Sequence, residues 1–278
     1  MTDEMIKTQE KDSAASRDPQ ITADLTGYWS RRSGQYSREI LAEMEDDRRE
    51  IWRNLILSQA PEGAPLRILD VGTGPGFFAI NLALAGHAVS AVDVTEDMLR
   101  HAQKNAEAYG AGVDFRLFDG RTLPFPDGSF DLVISRYVLW NIEEPEEAMQ
   151  EWKRVLRSGG RMLWFDGNWF LYLFEGDTEP GSAEPAGEDT QDQLLQKYRQ
   201  GMRRKVGVVE ATDVERLALR LPLPRVQRPA WDLQAVQQLG LKLVTAEENL
   251  NERIFTGEDL IRFEATPVFM ICAEKQQL

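Results

Sequence analysis

One cysteine and two histidines are all the thiol and imidazole groups that 278 residues provide. The lone Cys272 can form no internal disulfide and no cysteine-rich metal cluster. His87 and His101, one preceding a strand and one on a helix, have no second group of ligands to join them, so no metal is expected. Positive charge is also scarce. Against 46 Asp and Glu stand 32 Lys and Arg, a formal net charge of −14. Nucleic-acid binders draw much of their affinity from neutralising phosphates, so this balance argues against a DNA or RNA partner. No run approaches the ~20 consecutive apolar residues that cross a bilayer. The opening MTDEMIKTQEKDSAASRDPQ lacks the apolar centre of a secretory signal. The expectation is a cytoplasmic protein with no membrane partner.

What is present is a globular composition, 42% apolar and 28% charged. Residues 1–20 read as a disordered leader. Residues 21–60 read as a helical N-terminal cap, in which Ile40, Leu41, Met44, Ile51, Trp52 and Leu55 share a face and EDDRRE (45–50) forms a solvated turn. A core then spans 61–174. RILDV (67–71), Ala88 to Val92, VDFRLF (113–118), FDLVIS (130–135) and RMLWFD (161–166) are its strands. Helices predicted from Pro75 to Ala85, from Thr95 to Tyr109, and from Pro145 to the Gly159-Gly160 pair alternate with them. Strands alternating with helices imply crossover connections and a mostly parallel, doubly wound α/β sheet. Residues 175–228 are expected to hold an acidic loop (175–192), a short basic helix (193–206) and an inserted cap, and 229–278 the last two strands, LKLVTAEEN (241–249) and VFMICA (268–273).

The chemistry lies in ILDVGTGPGFFAINLALAGHAVSAVDVTEDML (68–99), where a strand runs through Gly72, Gly74 and Gly76 directly into a helix. Glycine suits a turn that needs positive φ and lets a ligand press on bare backbone, and the helix N-terminus favours an anionic group. Asp93 ends the second strand 21 residues after Gly72, where a carboxylate can accept hydrogen bonds from both ribose hydroxyls. Read from Gly74, the loop also satisfies the loose dinucleotide pattern G-x-G-x-x-A, which leaves a nicotinamide cofactor open on the glycines alone.

The ordered motifs resemble the class I S-adenosylmethionine-dependent methyltransferases, especially the small-molecule group called methyltransferase type 11. Their first motif, hydrophobic-Leu-Asp-hydrophobic-Gly-x-Gly-x-Gly, matches ILDVGTGPG (68–76) at every position. FDGRTLPFPDGSFDLV resembles the family's stretch into strand four, and RVLRSGG (154–160) its later loop, with Ser158 where proline is usual. The resemblance covers about a hundred residues, 66–166. It implies a Rossmann-like sheet of seven strands with the last antiparallel, S-adenosylmethionine as cofactor, and methyl transfer to a small-molecule acceptor. A nicotinamide-dependent oxidoreductase and a non-catalytic binder of the same cofactor stand as rivals, and a monomer or homodimer is expected.

Carried over residue by residue, the resemblance assigns Gly72, Thr73, Gly74, Gly76 and Asp70 to the cofactor loop, and Asp93 and Val94 to the ribose. Met98, Asp119, Gly120 and Arg121 fall around the adenine, with Asp119 facing its amine. Tyr28 and Tyr36 of the cap and Ser135 and Arg136 of strand four complete the cofactor set. SRYVLWN (135–141) is not the Asn-Pro-Pro-aromatic motif of base- and glutamine-modifying enzymes. Trp29, Arg32, Trp140, Asn141, Asn168 and Trp169 are expected around the acceptor, with Asp166 and Tyr137 as candidate catalytic groups. Methyl transfer from a sulfonium needs a base only if the acceptor arrives protonated, so the lack of a His–Asp dyad is no objection.

Overall fold

The computed structural model describes residues 20–174 and 208–276, with Gln193, Tyr198 and Gln200 between them. The leader (1–19), the acidic loop (175–192) and the basic run Arg203-Arg204-Lys205 lie outside the described residues.

Seven strands form one sheet in the order β3-β2-β1-β4-β5-β7-β6. They are β1 (Arg67–Val71), β2 (Ala88–Asp93), β3 (Val113–Leu117), β4 (Phe130–Arg136), β5 (Leu156–Asp166), β6 (Leu241–Glu247) and β7 (Phe269–Lys275). The first five pair in parallel, and β7 runs antiparallel to both neighbours. Because β1 pairs with β2 on one side and β4 on the other, chain order reverses at its carboxyl end. The connections there lead to opposite faces and leave a crevice, the usual binding place of open α/β sheets.

Alternation along each strand divides the core in two. Ile68, Ile134, Leu163 and Phe165 join one apolar cluster, and Leu69, Val133, Met162 and Trp164 join the other. The first cluster is covered by α1 (Ile21–Met44), α2 (Arg48–Gln59) and α3 (Phe77–Leu84). The second is covered by α5 (Pro145–Val155) and α7 (Ala230–Gln238). Between α1 and α2 only three residues turn the chain, as the charged run predicts. α4 (Glu96–Tyr109) begins after Thr95, whose backbone is extended, and stops at Gly110, whose φ of 66° is the left-handed conformation that closes a helix.

Three elements depart from expectation. α5 stops at Val155 rather than at the glycine pair, because Leu156 already pairs with Phe130 and is fully buried. The glycines then sit in a bulge, where the register jumps from Phe130↔Leu156 to Leu132↔Arg161. The inserted cap contributes α6 (Val208–Ala218). The connection between β6 and β7 carries two short helices that no sequence motif marks, α8 (Asn251–Ile254) and α9 (Gly257–Arg262).

Candidate active site

The crevice opens at the carboxyl ends of β1, β2 and β4 and has a volume of about 1680 Å³. That exceeds the ~300–1,000 Å³ typical of a single small-ligand site, which leaves room for two molecules.

Its floor is the turn out of β1. Gly72, Gly74 and Gly76 have φ of 68°, 53° and 95°, the left-handed region that side chains rarely adopt. At Gly72 the requirement is doubled, since a Cβ there would lie 2.5 Å from Val138 Cγ2. Asp70, 2% exposed, holds the turn from behind: its Oδ2 accepts the Thr73 hydroxyl at 2.7 Å and the Ala79 N–H at 3.2 Å. Burial pushes this carboxyl up to about 6, against the opposing pull of the Thr73 hydrogen bond and the Arg136 charge. Asp70, Thr73 and Gly76 therefore shape the loop without lining the crevice, and Ser135, packed inside β4, does not line it either.

Asp93 does line it. Its Oδ2 accepts the Gly74 N–H at 2.9 Å and its Oδ1 the Thr95 N–H at 2.8 Å, so the carboxylate ties the first strand's loop to the second strand's tip. Burial raises its pKa and these N–H donors oppose the rise. Val94, Met98, Gly120 and Arg121 share the wall with Asp119. The Asp119 Oδ1 accepts the N–H groups of Arg121 and Thr122 at 2.9 and 2.8 Å, which hold its carboxyl below the usual range.

The opposite wall comes from α1 and the end of β4. Tyr28, Trp29, Arg32 and Tyr36 recur at helical spacing and all face the crevice. The Tyr36 ring covers the loop, and a Cβ on Gly74 would lie 3.3 Å from its Cε1. Arg136 lies under this wall, its side chain 9% exposed, paired with Glu43 at 2.8 Å and stacked 4.4 Å from the Phe77 ring centroid. Glu43 also accepts the Trp52 Nε1–H at 2.9 Å, so α1, α2 and β4 are joined through one carboxylate. Tyr137 has φ of 61°, the left-handed conformation in a residue with a side chain. Its N–H donates to Phe165 O at 2.8 Å and its ring meets Trp169 edge-on at 5.1 Å. Strain of this kind gathers at ligand sites. Burial raises the Tyr137 hydroxyl pKa well above its ordinary value, which keeps it a neutral donor.

Trp29, Trp140, Asn141 and Trp169 line the same crevice beside Phe170, Tyr198, Phe255 and Phe263. The last two arrive from the β6–β7 connection, which no periodicity in the sequence marks. Trp29 lies 6.5 Å from Trp140, and Trp140 lies 4.8 Å from Phe170, which makes a continuous aromatic wall.

Two expected acceptor-side groups face elsewhere. Asp166, 1% exposed, is surrounded by four donors: Trp169 Nε1 and Gly167 N on Oδ1, Trp140 N and Arg228 Nη1 on Oδ2. It does not line the crevice, and a carboxylate with every lone pair taken is an anchor. Its partner Arg228, 1% exposed, also grips Asp232, which accepts the Trp164 Nε1–H at 2.8 Å. Asn168 is likewise engaged, exchanging hydrogen bonds with the backbone of Arg228 at 2.7 and 3.0 Å.

Comparison with known proteins agrees with this geometry. Residues 69–164 match a family model described as "Methyltransferase domain". The demethylmenaquinone methyltransferase of Thermus thermophilus is 41% identical over 114 residues, 40% of this chain and 52% of that protein. The ubiquinone/menaquinone biosynthesis C-methyltransferase UbiE of Roseobacter denitrificans is 30% identical over 164 residues, 54% of this chain and 65% of that protein. Residues 69–164 are thus similar to a methyltransferase domain. The chain spans about half the length of the curated relatives it matches. The domain's fold is also that of an S-adenosylmethionine-dependent methyltransferase from Mesorhizobium loti, with TM-score 0.57 at 21% identity over 81% of this chain and 97% of that one.

S-adenosylmethionine, for which that structural neighbour is named, suits the crevice on chemical grounds. A backbone bare of side chains at Gly72 and Gly74 adjoins the Asp93 carboxylate, and beyond them lies an apolar slot bounded by Val94 and Met98. Among the described residues there is no His/Cys/Asp/Glu cluster fit to hold a metal.

Proposed function

We propose that the protein is a methyltransferase that carries a methyl group from S-adenosylmethionine to a small apolar or aromatic molecule. The observation that carries this reading is a single crevice with a cofactor-like half and an aromatic half. One side holds Gly72, Gly74, Asp93, Val94 and Met98, and the other holds Trp29, Trp140, Trp169 and Phe170. In this reading Asp93 receives the ribose hydroxyls and Met98 packs on the adenine. The Asp119 carboxylate, beside Gly120 and Arg121, faces the adenine amine. Tyr28 and Tyr36 close over the cofactor from the cap.

The bound cofactor supplies an electrophilic methyl on sulfur, and the chain's own work is to position and to dry the site. Alignment of acceptor and methyl carbon can supply ~7–11 kcal/mol of the barrier. The aromatic wall excludes water and fixes a flat ring, with Asn141 and the Tyr137 hydroxyl as the polar groups that orient it. Arg136 positions Tyr137 by filling the space behind it. Relatives named for quinone methylation share the matched half of the chain, and a quinone-like ring is the shape this wall would take. The cap at 21–60, the core at 61–174, the insertion at 175–228 and the closing strands at 229–278 act as one catalytic unit, cytoplasmic, monomeric or homodimeric, without nucleic acid.

Titration calorimetry tests the cofactor half: S-adenosylhomocysteine should bind in the micromolar range and NAD or NADP not at all. A metabolite screen with labelled S-adenosylmethionine tests the other half. Release of label to an apolar acceptor supports the reading, and no transfer to any acceptor overturns it.

A further inference from the structure

The two edges of the sheet are built differently. β6, at one end, shifts its register against β7 between Leu243 and Thr245, and an irregular edge strand is a poor template for another chain. β3, at the other end, pairs with β2 residue for residue from Val113 to Leu117. Among the described residues no strand pairs with its outer side. The Phe118 N–H donates to Asp93 O at 3.2 Å. By the alternation of a strand, the backbone groups of Asp114 and Arg116 therefore also turn toward β2, and those of Val113, Phe115 and Leu117 turn to the open edge.

This edge complements a second copy of itself. Two such strands, antiparallel about a two-fold axis at Phe115, set Phe115 against Phe115 and Val113 against Leu117. The three outward-facing residues then all fall in hydrogen-bonded pairs, which exchange both N–H···O bonds. Asp114 stands opposite Arg116 in both halves, at the pairs where side chains come closest. Within the chain the two already attract, with Arg116 Nη2 2.7 Å from Asp114 Oδ2, so the paired edges would carry four charges of alternating sign. The neighbouring registers lack this match. An axis at Asp114 opposes carboxylate to carboxylate, and one at Arg116 opposes guanidinium to guanidinium. Leu117, a large apolar side chain left 54% exposed, would be covered by the second copy's Val113.

We propose that β3 is the contact of a two-fold homodimer, in which Val113–Leu117 of two copies pair antiparallel about Phe115 and one sheet runs through both chains. Five residues a side are fewer than the ~20–30 of a standard interface, so the dimer is a reversible one. The strand leads directly into Phe118, Asp119, Gly120 and Arg121 of the crevice wall, which places the contact beside each copy's crevice. The inference is independent of the methyltransferase reading, since it concerns the sheet edge and not the ligand.

Sedimentation velocity of the full chain, from micromolar to millimolar concentration, tests this. The wild type should pass from 31.6 kDa to twice that mass as concentration rises. Asp114→Arg and Arg116→Asp each oppose like charges across the contact, and each should weaken self-association at least tenfold. Mixed in equal amounts, the two variants should associate as the wild type does, because unlike charges then face each other again. A role of either residue in its own chain alone would not produce that rescue. Leu117→Lys, at an exposed position, should also weaken self-association at least tenfold. Arg116 bonds Pro124 O at 3.1 Å and lies over the Phe125 ring, so if Arg116→Asp does not fold, Asp114→Arg and Leu117→Lys decide. A wild type that stays monomeric over the whole range overturns the proposal. So does association that survives Asp114→Arg or Leu117→Lys, and so does a mixture of folded single variants that stays apart.

Discussion

Three buried aspartates lie at or next to the carboxyl ends of strands here, and each has a different occupation. Asp93 presents a carboxylate to the crevice. Hydrogen bonds to a charged group contribute ~1.5–3 kcal/mol, so Asp93→Ala should weaken S-adenosylhomocysteine at least tenfold by calorimetry, with the far-UV circular dichroism retained. Asp70 serves the loop, with its carboxyl pushed up to about 6 by burial. The folded state thus holds its proton more tightly than the unfolded chain, and the associated stability is complete below pH ~4 and is lost as pH rises through about 6. A shift of that size corresponds to about 3 kcal/mol. Urea melts of Asp70→Asn should lack this decline between pH 4 and 6, and parallel curves for variant and wild type would refute the assignment. Asp166 anchors Arg228. Removing one partner of a buried ion pair costs ~3–5 kcal/mol, so Asp166→Ala should lower stability by about that much in denaturant melts. A base in direct attack would instead show normal stability and lost turnover. Asp93 was legible because the loop and the second strand tip are separated by a spacing that sequence displays. The role of Asp166 was not, because its partner Arg228 is 62 residues away and nothing in RMLWFD announces an ion pair.

At the scale of elements, the strand–turn–helix from β1 to α3 was readable in full, since alternation, glycine and apolar run follow one another without interruption. What spacing could not supply was the neighbour. Val138, from the turn after β4, lies so near Gly72 that a methyl group would collide with it. Gly72→Ala should therefore suffer twice, from φ of 68° and from the contact at 2.5 Å. A melting temperature several degrees lower and at least tenfold weaker nucleoside binding are expected, and wild-type values for both would show that the turn tolerates a side chain. The α8–α9 connection lay beyond sequence reasoning for another reason. Helices of four and six residues are too short to display a period. Yet Phe255 and Phe263, stacked 4.5 Å apart, bring aromatic surface from that connection to the acceptor side of the crevice. The early end of α5 was missed because Leu156 satisfies a helical apolar position and a strand position equally, and pairing with Phe130 decides between them.

For the whole molecule, the crevice joins parts that the sequence keeps far apart. α1 packs Ile21, Leu25, Tyr28, Ile40 and Met44 into the first apolar cluster and adds polar ties to the sheet domain: Ser30 to Asp97, Ser37 to Asn105, and Glu43 to Arg136. Asn105 also donates to Pro75 O at 3.0 Å, so the cap, α4 and the glycine loop meet at one side chain. A ligand seated between α1 and the strand tips bridges the same elements a second time, and its binding energy opposes their separation. The far edge of the sheet, β6, contributes nothing to the crevice wall. Hydrogen exchange followed by mass spectrometry, with and without saturating S-adenosylhomocysteine, should therefore show a local pattern. Protection should rise in 28–43, 71–76, 93–98 and 119–123, the segments that wall the crevice, and stay level in 241–247. Exchange that slows equally in β6 would mean that the ligand stabilises the fold as one unit, and that α1 is as firmly built into it as any strand.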